Sequence, residues 1–263
     1  MIGRIGAIAL NTFREAVRSR VLYSLLFFAL ALIFSALALG QLSLHEEARV
    51  TRDLGLGGIA LFGVLIAIFV GVSLVYKELD KKTVFALVSK PIYRHELILG
   101  KFVGMSITLA VQLLIMGLVL CGVLLLQGAD VEPAIFRAVT LTLLEVLLIA
   151  AIAILFSSFS SPFLSGAFTL GIFFIGRSVP ELRELIGKMP EGGGRTVAAG
   201  ILHLVPDLHT FAVSGSVVDG RYATVHGDFV AWAYVGWAAV YALGYVACSL
   251  AFASLLFSRR DFT

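Results

Sequence analysis

Residues 54–101 read LGLGGIALFGVLIAIFVGVSLVYKELDKKTVFALVSKPIYRHELILGK, and this stretch decides the fold. Leu54–Tyr76 carries no charge and is long enough to cross the bilayer, which takes about 20 apolar residues for about 30 Å of hydrocarbon. Lys77–Lys101 then turns abruptly basic. The chain re-enters an apolar stretch at Phe102–Leu126, which carries the amide Gln112. Two spans joined by a lysine-rich loop make an integral membrane protein.

Working outward, the other spans follow the same rule. Val21–Gly40 is uncharged, and Ala138–Phe156 carries one acid, Glu145. A short stretch, Pro162–Gly176, needs neighbours on either side and is taken as 158–178. Phe229–Phe257 is long enough to tilt or project. The expectation is an all-α polytopic fold in one domain, with spans at 21–40, 54–76, 102–126, 138–156, 158–178 and 229–257. Composition agrees. The 263 residues are 59% hydrophobic and 14% charged, against about 25% charged for soluble domains. Mean hydropathy is +0.99. The net charge of +3 is spread along the chain, whereas nucleic-acid binding needs a concentrated basic face.

Orientation follows from Lys and Arg. With the N-terminus inside, the inner segments hold Arg4, Arg14, Arg18, Arg20, Lys77, Lys81, Lys82, Lys90, Arg94, Lys101, Arg259 and Arg260. The two short outer loops hold Arg49, Arg52 and Arg137. The remaining five basic residues lie in the long segment Arg177–Asp228, and long loops translocate with less regard for charge. Both termini are expected in the cytoplasm. No cleavable signal peptide is read in the first twenty residues, which lack a continuous apolar core. Cys121 and Cys248 lie in apolar stretches and are expected to pack rather than pair.

Residues 1–20 read as an amphipathic helix in the membrane interface. Ile5, Ile8, Ala9, Thr12, Phe13 and Ala16 share one face; Arg4, Asn11, Glu15 and Arg18 share the other. It serves as a surface anchor or as a lever touching a partner. The external segment 179–228 contains Gly192, Gly193 and Gly194 and an apolar run, Thr196–Val205, too short to span. That run fits a re-entrant or interfacial helix ending near Pro206.

Motifs for chemistry are missing. Gly100–Lys101 and Gly187–Lys188 lack the rest of the G-x-x-x-x-G-K-[ST] phosphate loop, and neither a nucleophile elbow nor a zinc helix occurs. His45, His203, His209 and His226 are spaced irregularly and read as surface histidines, so no metal site is assigned. Inside the membrane, Glu145 and Gln112 lie at depths about 5 Å apart by helical rise. They suit either a hydrogen bond between helices or polar points along a substrate path. Gly100 and Gly104 form a small-xxx-small step that allows close helix approach.

The loop 77–101 is patterned. Pro91 disfavours helix at Lys90, so two short helices are expected, the first with Val84, Phe85, Leu87 and Val88 among lysines. Such a helix either lies on anionic lipid or docks into a protein groove.

The order Glu78, Thr83, Leu87, Pro91, Arg94, Gly100, Lys101 resembles the cytoplasmic loop of permease subunits of type-2 ABC exporters. NTFREAVRSR (11–20) is similar to that family's connecting helix. FSSFSSP (156–162) is similar to its serine-rich turn, LVPDLHTF (204–211) to its segment before the last span, and FSRRDF (257–262) to its ending. The compact six-span layout is nearest to the copper-enzyme-maturation permeases. The short loop 41–53 sets it apart from exporters with a large external domain.

The resemblance implies that 77–101 holds a coupling helix docking on a separate ATPase subunit. Glu78, Thr83, Phe85, Val88, Pro91, Arg94 and Lys101 are the candidate docking residues. It further implies a dimer of ATPases, a second permease chain identical or not, ATP bound only by the partner, no cofactor of the chain's own, and export across the cytoplasmic membrane. A secondary carrier is the competing function, and so is a membrane subunit that passes ATP-driven motion to an external machine.

Overall fold

A computed structural model describes residues 2–41, 47–80, 94–131, 133–190, 192–212, 216–218, 221–223 and 231–259. The chain is an all-α polytopic membrane protein. Its helices are α1 (Ile2–Val17), α2 (Arg20–Gln41), α3 (Glu47–Asp80), α4 (Arg94–Leu126), α5 (Pro133–Ser157), α6 (Pro162–Arg177), α7 (Val179–Gly187), α8 (Gly193–Leu204) and α9 (Trp232–Arg259). A 3-10 turn, Leu208–Phe211, and a small antiparallel hairpin, β1 (Ser216–Val218) with β2 (Arg221–Ala223), lie between α8 and α9. Among the described residues, α2, α3, α4, α5 and α9 are long and apolar enough to cross a membrane, and α6 with α7 makes a sixth span if the bent pair is counted as one.

The helices outrun the apolar stretches. With 34 residues, α3 is about 51 Å long at 1.5 Å per residue, well beyond the hydrocarbon. It starts at Glu47, so Arg49 and Arg52 belong to a helix and not to a loop, and Arg137 likewise falls within α5. By contrast α6, with 16 residues, spans only about 24 Å. It does not borrow the preceding serines: Ser158–Ser161 form a turn, and Pro162 starts the helix, where a missing N–H costs nothing. Nor does it continue straight into Val179–Leu182. The chain bends by 65° between α6 and α7.

The core lies where α3, α4 and α5 meet. α5 is buried on nearly every side, through residues such as Val146, Ile149, Ala150 and Ala153. Burial on every side requires a neighbour without side-chain bulk. Gly71 of α3 supplies it, because a methyl there would sit 2.8 Å from Ala153 Cβ. Small residues let membrane helices meet along their backbones, where hydrophobicity gives no drive. The peripheral helices turn large apolar side chains outward: Phe27, Phe28 and Phe34 on α2, and Trp237, Val240 and Leu243 on α9. In water such a surface would be untenable; in lipid it is the solvent-facing surface. Cys121 is half-buried and unpaired. Cys248 is also unpaired, but it sits on the exposed face of α9 rather than in the packing.

The bundle has two distinct ends. One, the α1 end, carries α1 and the junction between α3 and α4. At the other, the cap end, the turn Leu208–Phe211 packs on α5 and α6, and α7 and α8 follow Arg177 as the rest of the cap. Here α2, α3 and α4 are tied by polar contacts. Gln127 Nε2 donates to Thr51 Oγ1 at 2.9 Å, Thr51 Oγ1 donates to the Ala36 carbonyl at 3.3 Å, and the buried Arg52 donates to the Asp130 carbonyl at 3.2 Å.

Candidate functional site

The sequence places its candidate site at the junction of α3 and α4. Thr83, Phe85, Val88 and Pro91 lie outside the described residues, as do the side chains of Glu78 and Arg94, whose backbones belong to the ends of α3 and α4. Lys101 is described, and it is 5% exposed. A buried ammonium is poorly placed to meet a partner. The reason is that α4 begins at Arg94 rather than after Lys101, which turns Glu96, Ile98, Gly100 and Lys101 into the bundle.

What covers that first part of α4 is α1. Ala9, Thr12 and Ala16 are buried, and Ile5, Ile8 and Phe13 are half-buried. The apolar stripe expected to lie in lipid is therefore spent on the protein. Gly100 and Gly104 form the seat. A methyl at Gly100 would sit 2.7 Å from Ile8 Cβ, and one at Gly104 would overlap the Ala9 carbonyl. Arg4 approaches Glu96 at 3.9 Å, and Glu96 is 2% exposed. α1 is thus clamped to the helix into which the loop 81–93 feeds.

A second constellation lies inside the membrane. Glu145 of α5 is fully buried, and its two oxygens accept from Arg177 Nε and Nη2, each at 2.8 Å. The expected partner, Gln112, is not involved. Its amide nitrogen and oxygen are buried without a hydrogen-bond partner among the described residues. An intramembrane carboxylate takes the partner that offers both charge and a matching two-pronged donor geometry. Arg177 can serve because α6 extends through it before bending, so the residue read as the start of the external segment ends a helix beside α5. The sequence did hold a signal for it: Arg177 is the first cation after the fifth apolar stretch, and a lone intramembrane acid requires one.

Arg177 also faces a cavity of about 240 Å³ between α3, α5 and α6. Its guanidinium carbon stands 5.6 Å from the centre of the Phe173 ring, a cation–π distance. Thr142 and Phe211 contribute to the walls. Phe211 is fixed from the other side by α9, its ring 6.2 Å from that of Tyr241.

The cap is pinned to the bundle by polar bonds at its neck. Tyr241 Oη accepts from the Asp207 N–H at 2.8 Å, and Tyr234 Oη donates to the Thr210 carbonyl at 2.7 Å. Asp207 also meets Arg183 of α7 at 3.6 Å. α8 ends at Leu204, just ahead of Pro206, with Val197, Ile201 and Leu204 exposed along one stripe. Among the described residues no group of three His, Cys, Asp or Glu is placed to hold a metal ion.

A family model described as ABC-2 family transporter protein matches residues 6–262. No curated protein matches the sequence. The match takes in the α1 seat, the long helices around the loop, the intramembrane ion pair and the cap together. The chain belongs to the ABC-2 family of transporter proteins, as a membrane permease subunit that works with an ABC ATPase.

Proposed function

We propose that the chain exports its substrate across the cytoplasmic membrane as one of a pair of permease chains, with ATP bound and hydrolysed on separate ATPase subunits. The α1 end then faces the cytoplasm, with both termini, and the cap faces outward. The lysine-rich junction supports this orientation. The compact layout without a large external domain favours the copper-enzyme-maturation subgroup. The chain needs no cofactor of its own under this reading.

The observation that carries the proposal is the seat of α1 on Gly100 and Gly104. A coupling loop transmits force only if its ends are stiff. Here the loop 81–93 joins two helices of more than thirty residues each, and α1 braces the second of them at its first turns. A push on the loop would move α4 and α1 together. Within the loop, Phe85 and Val88 are assigned the apolar docking contacts and Thr83 and Pro91 shape it, while Glu78 and Arg94 at the flanking helix ends anchor it. Lys101, being buried, is assigned to holding α4 rather than to touching the ATPase.

The neutralised Glu145–Arg177 pair speaks against a proton-coupled carrier, which needs an ionisable group free to change charge. Co-expression with the ATPase tests the proposal. Phe85→Asp should abolish co-purification and the stimulation of ATP hydrolysis by the permease, while the chain still inserts. Undiminished co-purification would remove docking at this loop.

A further inference from the structure

We infer that the cavity beside Arg177 binds a phosphate-bearing acyl lipid, with the phosphate on Arg177 and a hydrocarbon chain in the trough between α3 and α6. The guanidinium carries five N–H donors. Two go to Glu145. That leaves three (five minus two) without an acceptor among the described residues, on a side chain 27% exposed toward the cavity. Glu145 cancels the charge that would make an intramembrane arginine costly, and the Phe173 ring holds the guanidinium in place. The free edge of the fork is therefore presented to an oxygen-rich group, and phosphate matches its geometry.

The rest of the cavity suits hydrocarbon. Gly57 and Ala60 form one wall and Phe173 and Phe174 the other. Its rim carries Leu61 and Phe174, both exposed on the lipid-facing surface. Leu61 lies seven residues into the apolar stretch that starts at Leu54, or about 10 Å below its end. The opening is thus at the depth of acyl chains, while Arg177 leaves α6 at its cap end and reaches down from that side to Glu145. At about 240 Å³, against about 30 Å³ per liquid water, it takes part of one chain and not a whole lipid. A membrane phospholipid of the leaflet next to the cap is the molecule with hydrocarbon at that level and phosphate above it.

The inference rests on the chain spanning a membrane and on nothing about the ATPase. Its failure would leave the export proposal standing, and the reverse also holds. The test uses the purified full-length chain and native mass spectrometry with two probes, phosphatidic acid and diacylglycerol of identical chains. Phosphatidic acid should be retained as a single copy and bind at least about tenfold tighter, a difference of about 1.4 kcal/mol. Gly57→Leu should weaken it by a similar factor. That side chain would grow into open space, since no atom lies within 4 Å of a Cβ at Gly57, and it leaves the ion pair untouched. The double variant Glu145→Gln/Arg177→Gln should bind both probes alike. Equal binding of the two probes by the unaltered chain, or undiminished binding by Gly57→Leu, would overturn the inference. So would displacement of the lipid by inorganic phosphate at equal concentration, because it would show that the chain contributes nothing.

Discussion

Arg177, the last residue of α6, holds Glu145 of α5 through two parallel 2.8 Å hydrogen bonds inside the membrane. The pair joins the helix that forms the centre of the bundle to the helix that leads into the cap. Removing one member leaves the other charged and unpaired in a low-dielectric site, at a cost of about 3–5 kcal/mol. Arg177→Gln should therefore lower thermal stability in detergent far more than the double variant Glu145→Gln/Arg177→Gln, in which two amides can still bond. A double-mutant cycle on melting temperature checks this. Additive losses would show that the pair contributes no coupling.

The α1 seat gives a second prediction. Gly104→Leu places a side chain where the Ala9 carbonyl now lies, and overpacking of this kind costs about 1–3 kcal/mol. α1 can relieve the clash by leaving the seat, since α2 begins only three residues after it ends. Arg14 and Arg18 should then become faster sites for trypsin, while the fragment from α2 onward stays intact. Time-resolved proteolysis with mass detection of the fragments measures it. Unchanged cleavage would mean that α1 does not detach.

The cap should loosen in steps. Tyr241→Phe removes the acceptor for the Asp207 N–H, and Tyr234→Phe removes the donor to the Thr210 carbonyl. Each bond contributes about 1 kcal/mol. The two tyrosines lie two turns apart on α9 and bond different residues, so their effects should add. Hydrogen exchange in the peptide covering residues 205–212 should quicken in each single variant and further in the double, with α3 to α5 unaffected.

How far the sequence alone reaches is clear from these same residues. Spans were legible wherever an apolar run met the length of the bilayer, because lipid admits few alternatives. The face of α1 was legible too, since a 3.6-residue period fixes which side chains share a side. What that face packs against was not. Periodicity cannot tell a lipid from a glycine-lined helix, and Gly100 and Gly104 are informative only once Ala9 is seen above them. The ion pair was half legible: Glu145 announced a need, but its partner depended on where α6 stops. A helix boundary is set by tertiary packing and not by local composition. Here Gly176 lies so near the cap segment 205–212 that a methyl on it would stand 2.7 Å from the Pro206 carbonyl. Depth along the helices therefore pairs Glu145 with Gln112, well inside a clear span, ahead of an arginine at the very edge of the fifth apolar stretch.

Gln112 supplies the last prediction. Gln112 is 3% exposed, and neither its amide nitrogen nor its oxygen is bonded among the described residues. A buried polar group left unsatisfied costs about 1–3 kcal/mol. Methionine has a similar length and no need for a partner, so Gln112→Met should raise the melting temperature of the purified chain. Gln112→Glu should lower it sharply, because a second carboxylate would have no Arg177 to meet it. If the amide serves only packing, transport-coupled ATP hydrolysis in the complex should be unchanged by Gln112→Met. A variant that is more stable yet uncoupled would place Gln112 on the path of the substrate, because only a group whose bonds form during transport is both costly at rest and needed in motion.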